Sequence, residues 1–137
     1  ANAIRPGNWL TSSPAEVFVP LDAAGATTLT FNLGSAGKKI LTYSAECAVD
    51  KISFVYPAWL ELSIYVNGAL VKPTGNSIAF FCSASLVDTA GFDGWTRASI
   101  TVPIKGIEGT NTVQIKAKGN TYAKGLWLGD SALMIYD

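Results

Sequence analysis

Within GFDGWTRASITV, residues 91–102, an acid, an indole and a guanidinium fall inside five positions: Asp93, Trp95 and Arg97. Sugars present apolar C–H faces that stack on an indole, while neighbouring polar groups take the hydroxyls by hydrogen bonds. Written as a strand the stretch alternates. Thr96, Ala98, Ile100 and Val102 share one face, and Trp95, Arg97, Ser99 and Thr101 share the other. The tryptophan lies on the polar face, which predicts contact with something outside the domain. Tyr122, in the loop KGNTY, is a second exposed aromatic of this kind. Asp93, Trp95, Arg97 and Tyr122 are therefore the candidate ligand-binding residues, with Trp95 stacking and the others hydrogen-bonding.

Other chemistry is harder to assemble. The chain has no histidine, which removes Ser-His-Asp and Cys-His nucleophile systems and the commonest zinc ligand. Two cysteines alone cannot build a structural zinc site. The glycines sit in short sheet turns rather than before a helix, so no phosphate loop is present. Asp88 and Asp93 bracket a Gly-containing loop that offers a corner of a calcium site; the plainer reading is Asp and Gly bonding their own loop backbone. No cofactor is expected. Glu46 and Glu61 lie mid-strand. Glycoside hydrolysis needs two such carboxylates facing each other, and solvated strand charges are the simpler explanation. The expectation is a protein that is not an enzyme.

The elements that must carry these residues are strands. Apolar residues recur at spacing two or in short continuous runs, and β-branched and aromatic residues dominate them. The predicted strands are Glu16–Val19, Thr27–Phe31, Lys39–Val49, Trp59–Val66, Ala69–Lys72, Ser77–Ser83, Trp95–Val102, Thr112–Lys118, Tyr122–Leu128 and Ser131–Tyr136. Gly129-Asp130 reads as the turn between the last two. In WLELSIYVNGALVK, Leu60, Leu62, Ile64 and Val66 point one way, and Asn67-Gly68 supplies a two-residue hairpin turn. Eight to ten short antiparallel strands predict an all-β sandwich of jelly-roll type. Residues 1–14, with two prolines, read as an extended N-terminal arm, and 15–137 as a single domain.

Composition narrows the partners. Ten basic and ten acidic residues among 137 give zero formal charge and no basic stripe, which argues against nucleic acid. No apolar run approaches the ~20 residues of a membrane span, so membrane insertion is not expected. The charged fraction of 15% is nevertheless low against the roughly 25% usual in soluble domains. In KKILTYSAECAV, AFFCSASLV and GLWLGDSALMIYD, apolar residues occupy both strand faces, and Trp127 in the last reads as core or interface. A single sandwich covers only inner faces, so these outer faces predict self-association. Cys47 and Cys82 allow one disulfide, which would fit an exported protein; two buried thiols would fit a cytosolic one. The opening ANAIRPGNW, with no initiator Met, fits a signal-peptidase product or an arbitrary boundary.

The segment IEGTNTVQIKAKGNTYAKGLWLGDSALMIYD, residues 107–137, resembles the end of C1q/TNF-like jelly rolls. With KKILTYSAECAV and LSIYVNGALV, the likeness covers roughly two-thirds of the chain. The resemblance implies a tight homotrimer with an aromatic and aliphatic seam, and bacterial members of this fold class include sugar-binding lectins. Galactose-binding-like carbohydrate-binding modules share the Gly-Thr-x-Thr-Val strand and bind as monomers. No family binding residue transfers to a position here. The expectation is a secreted or cell-surface, carbohydrate-binding, lectin-like homotrimer. The alternative is a trimeric protein-interaction head of C1q/TNF-like type without sugar binding.

Overall fold

The Asn67-Gly68 turn forms as its residue types demand: Asn67 has φ 51° and Gly68 φ 80°, the pair of positive values a two-residue hairpin requires. In the computed structural model, residues 1–52, 56–75, 77–84, 91–92 and 95–137 are described, 91 and 92 by backbone alone. These residues form β1 (Asn2–Arg5), β2 (Trp9–Thr11), β3 (Val17–Phe18), β4 (Leu29–Leu33), β5 (Gly37–Lys51) and β6 (Trp59–Val66). They continue with β7 (Ala69–Lys72), β8 (Phe80–Ser83), β9 (Gly91–Phe92), β10 (Thr96–Gly106), β11 (Gly109–Gly119) and β12 (Ala123–Tyr136).

The first sheet runs β1-β12-β5-β10, with β2 beside β12 and β9 beside β5. The second runs β3-β11-β6-β7, with β4 beside β11 and β8 beside β6. Take β1, β4, β5, β6, the β7/β8 pair, β10, β11 and β12 as the eight principal strands. The sheets then read first–eighth–third–sixth and second–seventh–fourth–fifth, which is the jelly roll. All pairings among the described residues are antiparallel. Among the described residues the strand count exceeds the expected eight to ten because short β2 and β9 join the first sheet, β3 joins the second, and β7 and β8 share one principal position. Residues 2–5 and 9–11 lie antiparallel along β12.

Period-two alternation builds the core. Leu41, Tyr43, Ala45, Cys47 and Val49 of β5 meet Leu60, Leu62 and Ile64 of β6 and Val113, Ile115 and Ala117 of β11, all buried. Each fully buried Leu, Ile or Val contributes about 1.5–3 kcal/mol of transfer free energy. A disulfide between Cys47 on the first sheet and Cys82 on the second spans this core, with Cα atoms 6.4 Å apart. The buried carboxamide of Asn111 is fully paired. It donates to the Ile107 and Gly109 carbonyls and accepts from the Ile107 amide and the Asn67 side chain. That pairing ties the β10–β11 turn to the β6–β7 turn.

One expected turn is something else. Gly129-Asp130 lies inside β12, which continues from Ala123 to Tyr136. Leu128 pairs with Cys47 and Ser131 with Ala45, so two residues stand opposite Glu46. This is a β-bulge. Gly and Asp suit a bulge as well as a turn, and only the partner strand distinguishes the two.

Candidate functional site

The bulge lies on the outer side of the first sheet, where it gathers the polar residues of that face. Arg97 of β10 stands opposite Glu46 of β5. Its guanidinium donates to the Asp130 carbonyl at 3.0 Å and to the Ser44 hydroxyl at 3.4 Å. A Cβ added at Gly129 would sit 3.1 Å from Asn8 Oδ1 and 3.1 Å from Glu46 Oε2. Gly129 therefore leaves a small notch walled by an amide and a carboxylate. Asp130 faces solvent and accepts the Gly7 amide on one carboxylate oxygen. From beneath, Arg5 donates to the carbonyls of Leu128, Gly7 and Pro20 and holds the same segment to the core.

An aromatic row lies beside this polar group. Trp127 of β12 pairs in register with Ala48 of β5 and with Leu10 of β2. Trp95 immediately precedes β10, whose first residue pairs with Cys47. The two indoles meet edge to face, ring centroids 6.2 Å apart and planes at 79°, a favoured aromatic geometry. They cover Ala48, which is buried although it points away from the core. Trp95 remains 38% exposed, leaving part of its ring available to a ligand.

Trp95 and Arg97 thus share one surface, as their alternation implies. Tyr122 stands in the β11–β12 turn, stacked on Tyr56 with centroids 4.7 Å apart and planes at 14°. Its ring belongs to the end of the sandwich, not to the sheet face that carries Trp95. Asp93 and the Asp88–Asp93 loop lie outside the described residues. Among the described residues, no group of three or more Cys, Asp or Glu is placed to hold a metal. Glu46 points outward from the first sheet and Glu61 outward from the second. The sandwich separates them, so this pair cannot act as the two carboxylates of a glycosidase. Asn8, Glu46 and Trp127 are the surface residues missed as ligand candidates from sequence. The Gly-Asp pair interrupting an otherwise apolar strand was the available signal.

Below this surface Tyr43 is fully buried. Burial raises its phenol pKa above 10.0, while Ser131 and Arg5 nearby pull it the other way. The Tyr43 and Ser131 oxygens share the enclosure without a hydrogen bond of ordinary geometry. No helix among the described residues is long and apolar enough to cross a membrane.

No family model matches the chain, and no curated protein matches it in sequence. Among solved structures it is similar to a family 35 carbohydrate-binding module from an environmental isolate. That match has 19% identity, 80% of this chain, 64% of that one and a TM-score of 0.38. It is also similar to CBM35 from Paenibacillus barcinonensis, at 17% identity, covering 100% of this chain and 98% of that one with a TM-score of 0.43. A third is Eiger TNF from S. frugiperda, at 8% identity, covering 99% and 91% with a TM-score of 0.48. Likenesses this distant leave function to be argued from the residues.

Proposed function

We propose that this is a non-enzymatic, carbohydrate-binding domain, lectin-like and exported, that works as a homotrimer. The observation that carries the binding reading is the edge-to-face Trp95–Trp127 pair beside the bulge with Arg97, Glu46, Asn8 and Asp130. A part-exposed indole offers stacking, and the adjoining guanidinium, carboxylates and amide offer donors and acceptors for hydroxyls. Asp93 is kept as a ligand candidate from its sequence position two residues before Trp95, and Tyr122 supplies a separate aromatic contact at the end of the sandwich.

Assembly is supported by the other half of the same face. Its three middle cross-strand rows carry no charge: Ile4, Ala132, Ser44 and Ser99; Asn2, Met134, Thr42 and Thr101; Tyr136, Ile40 and Pro103; the Lys38–Lys105 row bounds them. Ile4, Met134 and Tyr136 are 62%, 47% and 46% exposed, an apolar patch that association would cover. If this patch is the whole function, the protein is an interaction head without sugar binding.

A glycan array with labelled wild-type protein and Trp95→Ala tests the two readings together. Specific signals for wild type that fall at least tenfold in the variant are expected. A blank array for wild type that remains associated in solution would replace the lectin reading with the interaction head.

A further inference from the structure

Under the bulge a positive charge is buried with no negative charge beside it. Arg5 of β1 is 5% exposed. Its guanidinium donates to the backbone carbonyls of Pro20, Gly7 and Leu128 at 3.0, 2.8 and 3.0 Å. Among the described residues no carboxylate lies within ion-pair distance of it. Asp130, the acid of the bulge, is exposed and accepts the Gly7 amide instead. Carbonyl dipoles solvate a cation but carry no net charge, and a desolvated charge without a counter-charge is costly.

Two hydroxyls share this enclosure. Tyr43 and Ser131 are 0% and 3% exposed, and neither side-chain oxygen has a hydrogen-bond partner among the described residues. Ser131 stands opposite Arg5 in the β1–β12 register. Burial raises the Tyr43 pKa while Ser131 and Arg5 oppose that rise, which brings all three groups together. The surrounding row is small. From Arg5 and Ser131 it continues through Ala45 and Ala98. The core-facing rows on either side carry Leu133 opposite Tyr43 and Leu128 opposite Cys47. Small side chains between two larger rows leave room beside the guanidinium, and the room is polar, as a bound ion or water requires.

We propose that Arg5, Tyr43 and Ser131 form a buried binding site for a single halide ion, chloride under ordinary saline conditions. The donor count selects the class of ligand. A guanidinium offers five N–H groups and each hydroxyl one O–H. The three carbonyls take three of the N–H groups, so the enclosure keeps a surplus of donors along with its positive charge. A water molecule would accept from some of these, but it would bring two more protons and leave the charge unmatched. A halide accepts from N–H and O–H alike, brings no proton and neutralises the guanidinium. Bound there, it fastens Arg5, and through the Leu128 carbonyl it fastens the strand where the bulge begins. The site lies under the sheet face, not on it, and stands whether or not that face binds sugar.

Thermal unfolding at neutral pH and constant ionic strength, with sodium chloride or bromide replacing sodium gluconate, tests this in wild type, Tyr43→Phe and Ser131→Ala. Each variant removes one hydroxyl and leaves Arg5 in place, so both should fold. In gluconate neither should be less stable than wild type. Chloride and bromide should raise the wild-type Tm saturably, by about 3 °C or more, and should raise that of each variant by less than half as much. In wild-type crystals grown with bromide, an anomalous peak is expected within hydrogen-bond reach of the Arg5, Tyr43 and Ser131 side chains. Equal Tm in the three salts, or a halide-dependent rise that both variants keep, would overturn the proposal. So would an ordered water in place of bromide, or bromide found on the surface only.

Discussion

The two outer faces of the sandwich solve the same problem differently. Both expose large apolar side chains: Ile4, Leu10, Met134 and Tyr136 on the first sheet, Phe18, Leu70 and Phe80 on the second. On the second sheet these rings are interleaved with charge. The Lys116 ammonium sits 4.8 Å from the Phe18 ring centroid and 5.1 Å from that of Tyr65, and Glu61 holds the Trp59 indole, on which Phe80 leans. Long charged stems cover apolar surface while keeping their heads in water, so that face is self-sufficient. On the first sheet the charges lie at the two ends, at the bulge and in the Lys38–Lys105 row, and leave the middle of the face without any. The rest is joined by hydroxyls, Tyr136 to Thr42 to Thr101 at 3.0 and 3.1 Å. Charge distribution, more than apolar content, is what separates the two surfaces.

The inner sides differ as well. Beneath the second sheet the buried Asn111 amide has every bond it needs, whereas beneath the first the Tyr43 hydroxyl has none. A buried hydroxyl without a partner costs stability through its lost hydration, and it is tolerated for its ring, which packs on Phe81 at 5.7 Å.

The largest expected contrast between the faces is in assembly. Met134→Arg should reduce the protein to monomer mass by light scattering, while Leu70→Arg should leave the mass unchanged; equal behaviour of the two would dissolve the distinction. Next is stability. Trp127→Ala should cost about 2–3 kcal/mol in urea unfolding, just below the range for a fully buried tryptophan. Lys116→Met, on the second face, should cost about 0.5–1 kcal/mol or less. The smallest effect is confined to high pH. Tyr43 has its folded-state pKa raised above the unfolded value of 10.0. Above that value the unfolded chain loses the phenol proton while the fold retains it, so stability is intact below pH 10 and falls as pH rises further. Tyr43→Phe should remove that alkaline decline without loss at neutral pH. A steeper decline in the variant would contradict the assignment.

Sequence made the sheets legible wherever one face was buried and the other wet. Trp59–Val66 and Ala69–Lys72 match β6 and β7 end for end, because Asn67-Gly68 fixes the turn and alternation fixes the face. Leu29–Leu33 is displaced by two residues from the expected Thr27–Phe31, since nothing local marks where pairing with β11 begins. β1 and β2 have no strong pattern of their own and are strands only because β12 offers them an edge. At the candidate site, alternation was enough to put Trp95 and Arg97 on one surface. It could not bring in Asn8, Glu46 or Trp127, which arrive from three other strands or loops. It also could not register that Glu46 and Glu61 face apart, because the sheet to which a strand belongs is a property of topology, not of period.

The Gly129-Asp130 bulge has a consequence for how this chain can change. Core side chains alternate up to Leu128 and resume at Ser131, and the intervening pair occupies the space of one residue on β5. Shortening that pair by one would leave Leu133 and Ile135 facing the core as before, since two-against-one pairing would simply become one-against-one. The interior has no use for the additional residue. What would vanish is the notch, the Asp130 carbonyl that anchors Arg97, and the solvent-facing carboxylate beside it. The surplus residue serves the exterior alone, and its retention would mark selection on that surface independently of any pressure to fold.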